Sequence, residues 1–211
     1  MARRLLVLLS MLAPLWMSGC VTFERAPAPL ACDARLVGRW LPVANTAEEQ
    51  ASLTRDDFAQ VDSQCKATVS ISQASDKSVR KVEVDARGFS LDGQHYLALG
   101  DADVTRLFTQ SLPAGQEPPK ALTGRAPSDA VTLVRYRIED DVFSMALVDY
   151  DTVEKLVKDK VLTASSADQF NYQFKGDDAY LREVLRKYPE LFKADPEKPM
   201  SLRRAPAEPA P

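Results

Sequence analysis

The sequence predicts a mainly β, α+β domain: an antiparallel barrel or strongly curved sheet with C-terminal helices. Three observations predict it. Alternating apolar and polar runs fill the middle of the chain, Gly- and Asp-rich turn signals join them, and two amphipathic stretches come after. A length of 211 residues with 45% hydrophobic content fits one globular domain and excludes a wholly disordered chain.

Thr68-Val69-Ser70-Ile71 is β-branched and alternating, and Lys81-Val82-Glu83-Val84-Asp85-Ala86 alternates charged with apolar residues, so each reads as a half-buried strand. Asp92-Gly93 is a hairpin-turn signal between Phe89-Ser90-Leu91 and His95-Tyr96-Leu97-Ala98-Leu99. Residues 112–128, rich in Pro and Gly, read as a long surface loop. The clearest pattern runs from Val131 to Tyr150. With Asp140-Asp141 as a two-residue turn, Ile138 faces Phe143, Tyr136 faces Met145 and Val134 faces Leu147, all on one face. The other face pairs Arg137 with Ser144, Arg135 with Ala146 and Leu133 with Val148, growing apolar away from the turn. Asp-Asp lacks the Gly preferred in tight primed turns, which leaves a longer loop open.

A first helix starts at Asp151-Thr152-Val153-Glu154 and carries Val153, Leu156 and Val157 on one face. A second begins after Gly176, with Asp177-Asp178 at its N-terminus and Arg186-Lys187 at its end, complementing the helix dipole. Its stripe is Tyr180/Leu181, Val184/Leu185 and Tyr188, and Pro189 ends it.

The chain opens with Arg3 and Arg4 and a short apolar run, Leu5 to Trp16, that is too short to span a membrane and has the layout of a secretory signal peptide. Met17-Ser18-Gly19-Cys20 then resembles the lipobox of bacterial lipoproteins. That resemblance implies cleavage before Cys20, a diacylglycerol thioether on its sulfur and an acylated amino group. Several acyl chains make a durable anchor. Val21 stands where an Asp would favour inner-membrane retention, which by the same resemblance implies the outer membrane of a Gram-negative bacterium, with the domain facing the periplasm. Loss of Arg3 and Arg4 with residues 1–19 moves the formal charge from −3 to −5. Either value excludes the basic excess of a nucleic-acid binder. The expected division is a signal peptide at 1–19, lipidated Cys20 with a tether to 31, a single domain at 32–195 and a disordered Pro-rich tail at 196–211.

With Cys20 used for the anchor, Cys32 and Cys65 remain, an even number in an oxidising compartment, and a disulfide between them is expected over two free thiols. Gly38-x-Trp40, on the first strand of an exported β-rich domain, resembles the lipocalin-like signature. That resemblance implies a Trp closing one end of a barrel whose cavity takes an apolar molecule. Val148-Asp149-Tyr150 echoes the family's second motif, with Val in place of its Thr.

The sequence carries no nucleophile elbow, phosphate-binding glycine loop or His-Glu-x-x-His. The sole histidine, His95, reads as structural or solvent-facing rather than as a general base. Asp56-Asp57 and Glu139-Asp140-Asp141 read as turns or solvated faces. No catalytic residue, cofactor or metal site is expected. The expected function is a non-catalytic module, held at the membrane by its lipid, that binds a lipid or another apolar small molecule. The alternative is an envelope scaffold with a filled barrel that binds proteins.

Overall fold

The computed structural model describes residues 20–73, 76–112, 116, 129–168, 171–193 and 200–206. The expected signal segment and nearly all of the expected 112–128 loop lie outside the described residues. Among the described residues, thirteen strands form one mixed sheet that carries four helices. The strands are β1 (Cys20–Phe23), β2 (Gly38–Pro42), β3 (Phe58–Val61), β4 (Lys66–Ser72), β5 (Val79–Asp85), β6 (Gly88–Leu91) and β7 (Gln94–Gly100). They continue with β8 (Val131–Glu139), β9 (Val142–Val148), β10 (Ser165–Asp168), β11 (Asn171–Phe174), β12 (Phe192–Lys193) and β13 (Met200–Arg204). The helices are α1 (Ala47–Ser52), α2 (Asp101–Ser111), α3 (Tyr150–Lys158) and α4 (Asp178–Lys187).

The β8–β9 hairpin has the register its pattern predicts: Val134 opposite Leu147, Tyr136 opposite Met145 and Ile138 opposite Phe143. Asp140 and Asp141 both take positive φ, at 47° and 60°, and make a tight turn without glycine. Aspartate tolerates the left-handed region because its short carboxylate bonds locally to the backbone. The β6–β7 hairpin turns likewise on Asp92 and Gly93. Both faces of the β8–β9 hairpin are buried, which explains its two apolar stripes. Val131, Leu133 and Ala146 face one core, with β1, β11, α3 and α4 packed over them. Tyr136, Phe143, Ile138 and Met145 face the other, which they share with Trp40 of β2, Val61 of β3, Ala67 of β4 and Val82 and Val84 of β5. For strands so distant in the sheet to share one cluster, the sheet must curl on itself. β5 leads almost directly into β6, so one stretch of chain pairs with β4 and the next with β7. Among the described residues the sheet nevertheless does not close into a barrel.

Two boundaries differ from expectation. Residues 21–31 are no tether. Val21 is 6% exposed and Phe23 fully buried, and β1 runs parallel to β11 as an exception to the antiparallel pattern. The apolar pair Val21/Phe23 is too short a signal to stand out beside two prolines. Within the expected 196–211 tail, Met200–Arg204 forms β13, inserted between β9 and β2. A Pro-rich composition gives no hint that two strand edges await a partner there.

The helices obey local chemistry. Asp177 caps α4, accepting from the Tyr180 N–H, and Leu181, Val184 and Leu185 are buried as the stripe predicts. The cap of α3 is Asp149 rather than a residue of the expected 151–154 start, and it accepts from the Thr152 N–H. The helices α1 and α2 precede β8, so helical structure is not confined to the C-terminal part.

Candidate functional site

Four of the residues singled out in the sequence, Cys32, Cys65, Gly38 and Trp40, meet where the 32–40 segment enters the curled sheet, and His95 joins them from β7. The Cys32 and Cys65 sulfurs lie at a disulfide distance of 2.06 Å. Asp33 caps a one-turn 3₁₀ helix, Ala34–Leu36, and the chain then extends into β2. The Trp40 indole N–H donates to the Leu36 carbonyl at 2.7 Å, which satisfies the one polar atom of a ring only 2% exposed. Across the ring lies Arg204 of β13, its guanidinium 4.2 Å from the ring centroid. Arg204 donates to the carbonyls of Val37 and Arg35, each at 2.6 Å, and to the Asp141 carboxylate at 2.9 Å. Gly38 is explained by its backbone, with that arginine as a second constraint. Its φ is +132°, and a Cβ there would stand 2.7 Å from Arg204 Nη1.

A second set of polar side chains ties the same segment to β6, β7 and β8. The Tyr136 hydroxyl donates to Asp33 Oδ2 at 2.8 Å, and Arg35 holds both Asp33 oxygens. Hydrogen bonding from the Arg35 side chain holds the Asp33 carboxyl down at about 2, against desolvation that works the other way. Burial, with the Asp33 carboxylate behind it, pushes the Tyr136 phenol well above its ordinary value. Arg35 Nη2 is also 3.0 Å from His95 Nε2, and Ser90 Oγ is 2.7 Å from His95 Nδ1.

The direction of that hydrogen-bonded chain is set by its donors. A guanidinium can only donate, so Nε2 of a neutral His95 accepts from Arg35 and Nδ1 carries the proton given to Ser90 Oγ. This polarity is the reverse of nucleophile activation, in which the imidazole takes the hydroxyl proton. The arrangement fastens strands together and leaves Ser90 unactivated.

The acidic clusters are also structural. Asp57, 4% exposed, accepts from the backbone N–H and side-chain hydroxyl of both Thr54 and Ser72, joining β4 to the turn before β3. Glu139-Asp140-Asp141 is the end and turn of the β8–β9 hairpin, and Asp149 of Val148-Asp149-Tyr150 is the α3 cap. Among the described residues no group of three His, Cys, Asp or Glu side chains could hold a metal ion. A half-open groove of about 170 Å³ lies outside the curled sheet, between α4 and the chain after α3, lined by Val161, Leu162, Tyr180, Val184, Lys187 and Tyr188.

The chain matches no family model, no curated protein and no solved structure. Its own geometry therefore carries the functional reading.

Asp33, Arg35, Tyr136 and Arg204 are site residues that the sequence does not single out. The pattern of β8 puts Tyr136 on an apolar face, where it lies, but its hydroxyl partner is 103 residues away. Arg204 falls in the segment expected to be tail. Among the described residues no helix is long and apolar enough to cross a membrane. Cys20 is the first residue of β1.

Proposed function

We propose that this chain is an outer-membrane lipoprotein, acylated at Cys20, whose periplasmic domain is a non-catalytic interaction scaffold. The observation that carries the scaffold reading is the aromatic packing on the concave side of the sheet among the described residues. Trp40, Phe143 and Tyr136 follow one another there, Trp40 tilted against Phe143 and Phe143 stacked on Tyr136, with ring centroids 5.9 Å and 5.4 Å apart, among Leu36, Val61, Val82 and Val84. A small curled sheet packed by its own aromatic side chains is a rigid platform, and its outer surface is what a partner meets. A lipocalin-like relationship belongs to the same proposal. It is supported by Gly38-x-Trp40 and by the curl of the sheet over Trp40. The anchor is supported by the basic start, the short apolar run and the lipobox-like Met17-Ser18-Gly19-Cys20.

A second reading, capture of an apolar small molecule, is favoured by the groove beside Val161 and Tyr188. At about 170 Å³ it is smaller than the ~300 Å³ at which drug-sized ligand pockets begin. Fractionation of cells expressing wild type and Cys20→Ser tests the anchor: wild type sediments with outer membranes and the variant is released with the periplasm. Equal solubility of the two proteins would sink it. Native mass spectrometry of the released domain after exposure to envelope lipid extract separates the two readings. The scaffold stays empty, and a stoichiometric adduct would establish the small-molecule reading instead.

A further inference from the structure

The segment from Val21 to Cys32 is committed to the fold along its whole length. Val21 and Phe23 are buried in the helix-covered core, and the Phe23 ring lies 5.0 Å from that of Phe174. The Glu24 N–H donates to the Phe174 carbonyl, and Arg25 reaches the Gly176 carbonyl and Asp178. Pro27 is buried and its carbonyl accepts from Arg182, Ala31 bridges to Gly88, and Cys32 is joined to Cys65. A flexible tether of such length would let a domain stray about 18 Å from its anchor, but none of that slack exists here.

We propose that the end of the β10–β11–β1 unit at which Asp168, Asn171 and Cys20 stand side by side is seated directly on a phospholipid surface, holding the domain in one attitude to the bilayer. The inference rests on acylation of Cys20, proposed above. The length of chain between anchor and fold decides it. Cys20 is paired with Asn171, and the next residue is already buried, so the lipid-bearing backbone is part of the sheet. β1 and β11 run parallel away from that end. Arg25, Lys175 and the N-terminus of α4, which lie beyond the far ends of these two strands, are therefore carried away from the membrane, Lys175 by about 13 Å of strand rise from Asn171.

With Cys20 acylated and Cys32 bonded to Cys65, the lipoprotein holds no free thiol, so one introduced cysteine takes one fluorophore. The full lipoprotein, carrying Asp168→Cys or Lys175→Cys, is reconstituted into phosphatidylethanolamine/phosphatidylglycerol vesicles that contain a headgroup quencher. The label at 168 is expected to be quenched at least about threefold more than that at 175, given the ~13 Å between their levels. A Gly/Ser insertion of about twelve residues between Cys20 and Val21 restores slack and is expected to erase the difference. Equal quenching at the two sites without the insertion overturns the proposal. Backbone hydrogen exchange on the unsubstituted lipoprotein gives the same answer without a variant. Vesicles are expected to slow exchange at 165–168 and 171–172 relative to detergent and to leave α4 unchanged; no slowing at those residues overturns it. An intact mass without acyl chains on Cys20, together with absent vesicle binding, overturns the anchor itself. That outcome is distinct from a bound but freely tumbling domain.

Discussion

The two cores lie on opposite faces of the same β8–β9 hairpin and are closed by different means. On one face, Leu133 and Ala146 are covered by α3, α4 and β1, whose apolar stripes supply Val153, Leu181, Val184 and Phe23. On the other, Tyr136 and Phe143 are covered by the sheet itself as β2 to β5 curl over them. The helix-covered core is assembled largely from apolar contact, which is non-directional and tolerant of small shifts. The curled core needs long-range pairing as well: the Cys32–Cys65 link, the Arg204 clamp on Trp40 and the Asp33–Tyr136 bond. Burial drives both, and both carry polar ties between distant segments, Arg25 to Gly176 and Arg182 to Pro27 beside the first, but the second is also cross-linked covalently and clamped across its central indole.

The strongest way to separate the two is to remove β13. Deleting residues 200–211 leaves β9 and β2 without a shared neighbour and strips Arg204 from Trp40. The expected cost is about 5 kcal/mol or more, comparable to the whole stability of many domains. Hydrogen exchange should show β2–β5 losing protection first while α3 and α4 keep theirs; retained protection in β2–β5 would mean that β13 is dispensable. Single core truncations come next. Trp40→Ala is expected to cost about 3–5 kcal/mol and Leu133→Ala about 3 kcal/mol in urea denaturation. Because both cores share β8 and β9, each variant should shift a single transition. Two resolved transitions would show that the cores melt independently.

Reduction of the disulfide, or Cys32→Ala with Cys65→Ala, is expected to cost about 3–4 kcal/mol from the entropy of the freed loop, and to lower hydrogen-exchange protection more in the curled core than in α4. An equal loss of protection in α4 would contradict that assignment. The smallest effect is electrostatic. The Asp33 carboxyl is held at about 2 in the fold against 3.8 for an ordinary aspartate. Its contribution is therefore complete above pH ~4 and is lost as pH falls from ~4 to ~2, about 1–2 kcal/mol after allowance for solvent around Arg35. Tyr136, raised by burial, works at the other limb. Its neutral form is the one the fold favours, so stability falls once pH rises above ~10, where the unfolded phenol ionises. Asp33→Asn should flatten the acid limb measured by thermal melting at each pH, and an unchanged limb would show that other carboxylates dominate it.

The features legible in the sequence are local. The register of β8–β9, the Asp92-Gly93 turn and the α4 stripe each depend on residues within about twenty positions of one another, where side-chain period and turn chemistry act directly. Two more helices carry weaker signals of the same kind: the Thr46-x-x-Glu49 capping pattern before α1, and Val104, Leu107 and Phe108 at helical spacing in α2. No comparable signal exists for β1 or β13. A short strand flanked by prolines becomes a strand only where an open edge accepts it. The site shows the same division. Gly38, Trp40 and the two cysteines are recognisable as residue types, whereas Asp33, Arg35 and Arg204 gain meaning only from partners distant in sequence.

The sequence by itself determined the β-rich class, the central hairpin, the C-terminal helix pair and the expectation of a lipid anchor at Cys20. It did so because periodicity, turn residues and a short processing motif are encoded contiguously. Only the tertiary structure decided that the sheet curls without closing, that the C-terminal segment completes it from within, and that no slack separates Cys20 from the fold. Those outcomes depend on which strand edges remain unpaired once the rest of the chain has packed, and edge pairing is a property of the assembled sheet rather than of any one segment.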